Sequence, residues 1–177
     1  MKEYLFMKDV YTFQWKDLGN LSEGRPNLGE ETSVLIYRLM QFTFKEAFSK
    51  ELGIKKTMEL FADAGKIAGK HFCSNVLDTS LPFNDFVANL KEKLISLKIG
   101  ILRIEKADLE ALQFTLTVSE DLDCSGLPLF DETVCDYDEG FLAGVFEEYT
   151  GKQFNAKEID CWATGDRTCR FEVKQTG

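Results

Sequence analysis

Cys161 and Cys169 are separated by a turn signal, Ala163-Thr164-Gly165-Asp166-Arg167, and this arrangement constrains the chain more than any other. Apolar or aromatic Ile159 and Trp162 precede the turn and the strand-like run Cys169 to Val173 follows it, so the segment reads as a hairpin. A turn centred on Gly165 sets the two cysteines opposite each other, with Cβ atoms roughly 4.5 to 5.5 Å apart. Thiolates that close can share a metal ion. Two further donors lie upstream, Cys135 and Glu158, giving the pattern C-x22-E-x2-C-x7-C. Thiolates with an optional carboxylate are the donors of tetrahedral structural zinc sites. The alternative is that the cysteines are buried, reduced and act as small hydrophobes.

Cys135 precedes Asp136 and Glu139, which have the spacing of a helix N-cap and its reciprocal partner. The positive end of that helix favours a thiolate at Cys135. Glu158 fits less well: three residues from Cys161, it points to the opposite face of a regular strand. Either a bulge re-aims it or Cys124 takes its place as fourth ligand.

The 177 residues suit one domain with a substantial core, residues 1–28 forming an arm or loop at its edge that is a candidate for a dimer interface. Five cysteines, an odd number, argue against a complete disulfide framework. With no long apolar segment at the start or elsewhere, the expectation is a cytoplasmic protein without a membrane span. Thirty acidic against 21 basic residues give a formal charge of -9, which repels phosphate backbones and excludes nucleic acid as a partner. Fifteen Phe, five Tyr and two Trp suit either core packing or an apolar ligand pocket.

Tyr11, Phe13 and Trp15 alternate with Thr12 and Gln14, which predicts a short strand or extended arm up to about Trp15. Gly19 to Gly29 reads as a loop. Helices follow at about 31–52, 55–77, from Pro82 to Leu97, and at about 136–150. Gly65 and Gly69, four apart in the second, strip one helix face of bulk, which serves close helix packing or a ligand. Strands are predicted at 99–106 and 112–119, the second alternating Leu112, Phe114, Leu116 and Val118 with polar residues. The order of helices and hairpins indicates an α+β domain, with an antiparallel sheet of two hairpins packed against about four helices.

Several segments resemble the signature of the 4-vinyl reductase domain family: Cys135-Asp136-Tyr137, Gly140-Phe141-Leu142-Ala143-Gly144, Glu158-Ile159-Asp160-Cys161 and Gly165-Asp166-Arg167-Thr168-Cys169-Arg170-Phe171. Upstream, Gly24-Arg25-Pro26-Asn27-Leu28-Gly29, Tyr37-Arg38 and Ala64-Gly65-Lys66-Ile67-Ala68-Gly69 also match. The resemblance implies a small-molecule-binding fold related to nitric-oxide-sensing and Golgi-transport proteins, usually dimeric. It also implies zinc held by three cysteines and a glutamate, by motif match Cys135, Glu158, Cys161 and Cys169. On that reading the chain is a homodimeric module for a small apolar or aromatic ligand, with Phe44, Phe48, Phe61, Phe72 and Trp162 as pocket candidates. The rivals are a reductase of a vinyl-bearing tetrapyrrole and an acyl-chain-binding scaffold. No nicotinamide or flavin fingerprint is present, and four protein ligands leave a metal no open position for catalysis.

Overall fold

The structure, a computed structural model, describes residues 10–177. The chain divides into a first unit ending at Ser33 and a second, Val34–Gly177. In the first, a 3-10 turn at Trp15–Leu18 is followed by the short helix α1, Leu21–Gly24. The alternating Tyr11, Phe13 and Trp15 therefore do not form a strand: Asp17 accepts from the Gln14 N–H and the Tyr11 hydroxyl and folds the segment back on itself. The part of that expectation falling on residues 1–9 lies outside the described residues. Asn20 caps α1 by accepting from the Glu23 N–H, which places a helix turn inside the segment expected as loop.

The second unit holds α2 (Val34–Leu52), α3 (Ile54–Val76), α4 (Phe83–Ser96), β1 (Ile101–Asp108), β2 (Gln113–Ser119), α5 (Asp136–Thr150), β3 (Phe154–Asp160) and β4 (Cys169–Gln175). This is the expected α+β architecture. The two hairpins join into one antiparallel sheet of order β1-β2-β4-β3. On β2, Phe114, Leu116 and Val118 are buried as the alternation required. One face of the sheet is covered by α4 and α5; α3 packs on α5, and α2 on α3. Between sheet and helices, Phe83, Phe114 and Phe146 stack with ring centroids 5.2 and 4.8 Å apart, so core packing absorbs part of the aromatic excess.

Gly65 and Gly69 do serve helix packing. A Cβ on Gly65 would sit 2.0 Å from the Tyr137 carbonyl oxygen, and one on Gly69 2.1 Å from that of Phe141. The relation is reciprocal, because Gly140 and Gly144 of α5 press against the Ala62 and Lys66 carbonyls of α3. The two backbones meet along two turns, which fixes where α5 begins and so where Cys135 sits.

Near the other end of α5, buried Glu147 bridges Lys66 and Lys70 and accepts from the Phe154 N–H at 3.0 Å. Burial alone would raise its pKa, but the hydrogen bonds from Lys66, Lys70 and Phe154 prevail and hold the carboxyl below its usual range. A depressed carboxylate contributes stability that is present above its unfolded pKa and lost as pH falls through the folded one. Glu147→Gln should therefore cost about 1 to 3 kcal/mol near neutral pH, and the gap to the unsubstituted protein should close below about pH 4.5 in urea titrations. A gap independent of pH would contradict the role given to the charge.

Candidate functional site

Four cysteine sulfurs converge where the start of α5 meets the hairpin of β3 and β4. Cys124, Cys135, Cys161 and Cys169 are all buried, and their sulfurs lie within 4.8 Å of one another. Cys135 Sγ is 3.8 Å from both Cys161 and Cys169, and Cys124 is 3.0 Å from Cys169. A tetrahedral zinc with bonds near 2.3 Å sets sulfurs about 3.8 Å apart, so this donor set matches such an ion.

Each ligand is placed by a local device. Cys135 is the N-cap of α5, one position before the expected cap Asp136, and its carbonyl accepts from Glu139 at 3.1 Å. Glu139, expected to reach back to the cap, instead accepts from the Glu158 N–H and from Lys157 Nζ, tying the helix to β3. Cys161 opens a 3-10 turn at Trp162–Thr164; its sulfur accepts from the Ala163 N–H at 3.4 Å, and Gly165 closes the turn with φ +105°. Cys124 sits in a loop bent around Asp121, whose carboxylate accepts from the N–H groups of Asp123 and Cys124 at 2.8 and 3.1 Å. The fifth cysteine, Cys73, lies outside the group, and burial pushes its thiol up to about 12.

Glu158 is turned inward by a bulge: between it and Asp160 the register against β4 shifts by one. This answers the parity objection. Its Oε2 accepts from the Cys135 N–H at 3.1 Å, and Oε1 is buried with no partner among the described residues. Burial, reinforced by Cys161, pushes its pKa up to about 8.

The thiols compete for one negative charge. Cys124, Cys135 and Cys169 donate to Cys161 and hold its thiol well below the usual range, whereas Cys135 is driven up by Cys124, Cys161 and Cys169. That competition outweighs the helix N-terminus, which by itself favours a thiolate at Cys135. A shared divalent cation removes the competition by satisfying every thiolate at once.

Acids missed in the sequence surround the cluster. Burial, with Asp123 beside it, pushes Asp121 up to about 7, and burial drives Asp138 well above the carboxylate range. Asp123 accepts from the Tyr37 hydroxyl at 2.6 Å and from Gln41 Nε2 at 2.8 Å. The only signals for these partners were the Asp-x-Asp-Cys run at 121–124 and the i, i+4 spacing of Tyr37 and Gln41 on one face of α2.

Tyr37 and Gln41 also line an apolar cavity of about 340 Å³, with Phe44, Phe48, Phe61, Ala64 and Tyr137 among its walls. Phe44 stacks on Phe48 at 5.8 Å and Phe48 meets Phe61 edge-on at 6.4 Å. Lys45 Nζ lies 5.2 Å from the Phe61 ring centroid and donates to the Val134 carbonyl, linking this wall to the segment before α5. Three of the five aromatic candidates are thus brought together. Phe72 lies in the core against Phe141, and Trp162 faces a different cavity.

Residues 114–175, the span from β2 to the end of β4, match the model of the 4-vinyl reductase domain. The chain carries a 4-vinyl reductase domain. Two uncharacterised proteins of Methanocaldococcus jannaschii are similar to it. One is 28% identical over 147 residues, 83% of this chain and 80% of that one; the other is 31% identical over 110 residues, 62% and 60%. Among solved structures, a vinyl-4-reductase family protein from the same organism superposes with a TM-score of 0.62 at 18% identity, covering 95% of this chain and 100% of the other. The phenol-responsive sensory domain of the transcription activator PoxR, solved with phenol, gives 0.67 at 14%, covering 84% and 78%. A trafficking protein particle complex subunit 3 from Naegleria fowleri, covalently bound to palmitic acid, gives 0.61 at 10%, covering 82% and 98%. These likenesses establish the fold. Among the described residues no helix is long and apolar enough to cross a membrane.

Proposed function

We propose that this 4-vinyl reductase domain is a sensory or regulatory module that binds a small aromatic or hydrophobic molecule, with zinc as a structural clamp. The observation that carries the reading is the shared wall between cavity and cluster. Tyr37 and Gln41 line the cavity and hold Asp123, the neighbour of Cys124; Tyr137 lines it from the first turn of α5, two residues after Cys135. A molecule entering the cavity presses on residues bonded to the metal-binding loop and on the helix that begins at a ligand. Cavity volume and lining suit a single-ring compound, and the phenol-bound PoxR domain supports the choice of phenol as probe. Titrating phenol into isotopically labelled protein should shift the resonances of Phe44, Phe48, Phe61 and Tyr137 together. Palmitate in a parallel titration tests the acyl-chain rival, and shifts confined to the core around Phe72 would contradict the placement.

Zinc is assigned to Cys135, Cys161 and Cys169 with a fourth ligand from Cys124 or Glu158. Sulfur packing supports Cys124; the unpartnered Oε1 and the family resemblance support Glu158. Four protein donors make the site closed, so the ion supplies rigidity and charge neutralisation.

Homodimerisation through α2 completes the reading. Leu35, Ile36, Leu39 and Met40 are each more than half exposed along this helix, an apolar surface too continuous for an isolated face. Light scattering should give twice the chain mass, and Leu39→Glu should yield monomer. A monomeric unsubstituted protein at micromolar concentration would remove this part of the account.

A further inference from the structure

We propose that a second, open cavity of about 470 Å³ binds a small organic oxyanion, a carboxylate or phosphate ester, gripped by Arg38 and Arg167 against Trp162. It is lined by Arg38 of α2, Lys98 after α4, Ser119 at the end of β2, Ser125, Trp162 and Arg167, and is distinct from the aromatic cavity. In a chain of net charge -9, three cations converge on one concavity.

Arg38 is held in place without an acid in hydrogen-bond contact. Its Nε donates to the Leu122 carbonyl at 2.8 Å and its Nη2 to the carbonyls of Ser125 at 2.9 Å and Asp121 at 3.4 Å. Nη1 makes no hydrogen bond among the described residues, so two N–H groups of a fixed guanidinium remain for a ligand. Immobilising the side chain beforehand removes most of the ordering cost of binding. Arg167 has no ion pair or hydrogen bond among the described residues. The Trp162 indole is fixed by donating Nε1–H to the Leu127 carbonyl at 3.0 Å, which presents its apolar surface to the cavity.

The nearby acids do not cancel this. The Asp121 carboxylate is turned inward to the N–H groups of Asp123 and Cys124. Glu120 stands at the rim with φ +52°, and Lys98 with φ +58° occupies the position after α4 where glycine is the usual residue. Side chains are retained at two left-handed positions that glycine would occupy with less strain, and both line the cavity. The volume is that of a metabolite site and exceeds what a bare inorganic ion fills.

The test uses Trp15→Phe protein, in which Trp162 is the sole tryptophan, at constant ionic strength. Benzoate and inorganic phosphate are titrated against its emission, with benzyl alcohol as neutral control. Saturable response to either anion and none to the alcohol is expected, with affinity falling about tenfold in Arg38→Met and in Arg167→Met and rising in Glu120→Gln. Benzoate alone identifies a carboxylate site; response to both identifies general oxyanion recognition. Exposed Arg167 and Glu120 keep the test decisive should Arg38→Met fail to fold. No saturable response at millimolar anion, or equal affinity in Arg167→Met, overturns the proposal. Phenol binding in the aromatic cavity should be unchanged in Arg167→Met, so the two sites succeed or fail separately.

Discussion

Replacing Gly140 with alanine is expected to cost at least about 3 kcal/mol, enough to leave much of the protein unfolded at moderate temperature. The added Cβ would lie 1.9 Å from the Ala62 carbonyl oxygen and 2.8 Å from the Lys66 nitrogen, all backbone atoms of α3. Backbone inside a helix cannot step aside as a side chain can. Relief requires α3 and α5 to separate, which breaks their contact along two turns and displaces Cys135 at the start of α5. Gly144→Ala, with its Cβ 2.3 Å from the Lys66 oxygen, belongs to the same class. Gly24→Ala is the control: it has no atom within 4 Å and no positive φ, and should be neutral or slightly stabilising. Urea unfolding of the three variants separates a close-packing cost from a propensity cost. Stability of Gly140→Ala within about 0.5 kcal/mol of the unsubstituted protein would contradict the packing described.

Loss of the metal should have an effect of comparable size. The protein is expected to hold one equivalent of zinc per chain, and Cys135→Ser, Cys161→Ser and Cys169→Ser should each abolish it. In zinc fingers the ion supplies about 10 to 16 kcal/mol of apparent folding free energy. A domain with its own core needs less, and a chelator is expected to remove several kcal/mol rather than unfold it outright. The stabilisation should weaken as pH falls, because protons compete for the thiolates. For the fourth position, Cys124→Ser should lose more zinc than Glu158→Gln, since the Cys124 sulfur is already within the group while Glu158 is engaged with the Cys135 N–H. The reverse order would assign the ligand to Glu158. Full retention of zinc in all three serine variants would end the metal account.

The sequence was most legible where one pattern forces one geometry. The period-two alternation around Phe114, Leu116 and Val118 can bury its apolar face only as a strand, and Gly65 with Gly69 announced a close approach. What met those glycines was hidden: Gly140 and Gly144 show the same spacing on α5, but spacing does not say which helices cross. Cys161 and Cys169 were readable because a turn fixes its own flanks. Glu158 was ambiguous because a bulge leaves no composition signal. Asp121, Asp123 and Asp138 were invisible as a group, since carboxylates are assigned to the surface by default and only tertiary structure buries them together. Phe72 and Trp162 show the same limit: an aromatic residue reveals its apolarity but not which of two cavities or the core it will face.

The central claim is that the aromatic cavity beside the cysteine cluster holds a small ring compound. Ala64 sits on its wall at an exposed position of α3, so Ala64→Phe fills the cavity with little cost to the core. Calorimetric titration with phenol should give saturable binding to the zinc-loaded protein and at least about tenfold weaker binding to zinc-loaded Ala64→Phe of equal thermal stability. Equal phenol affinity in the two proteins, or no binding to either, would contradict the account.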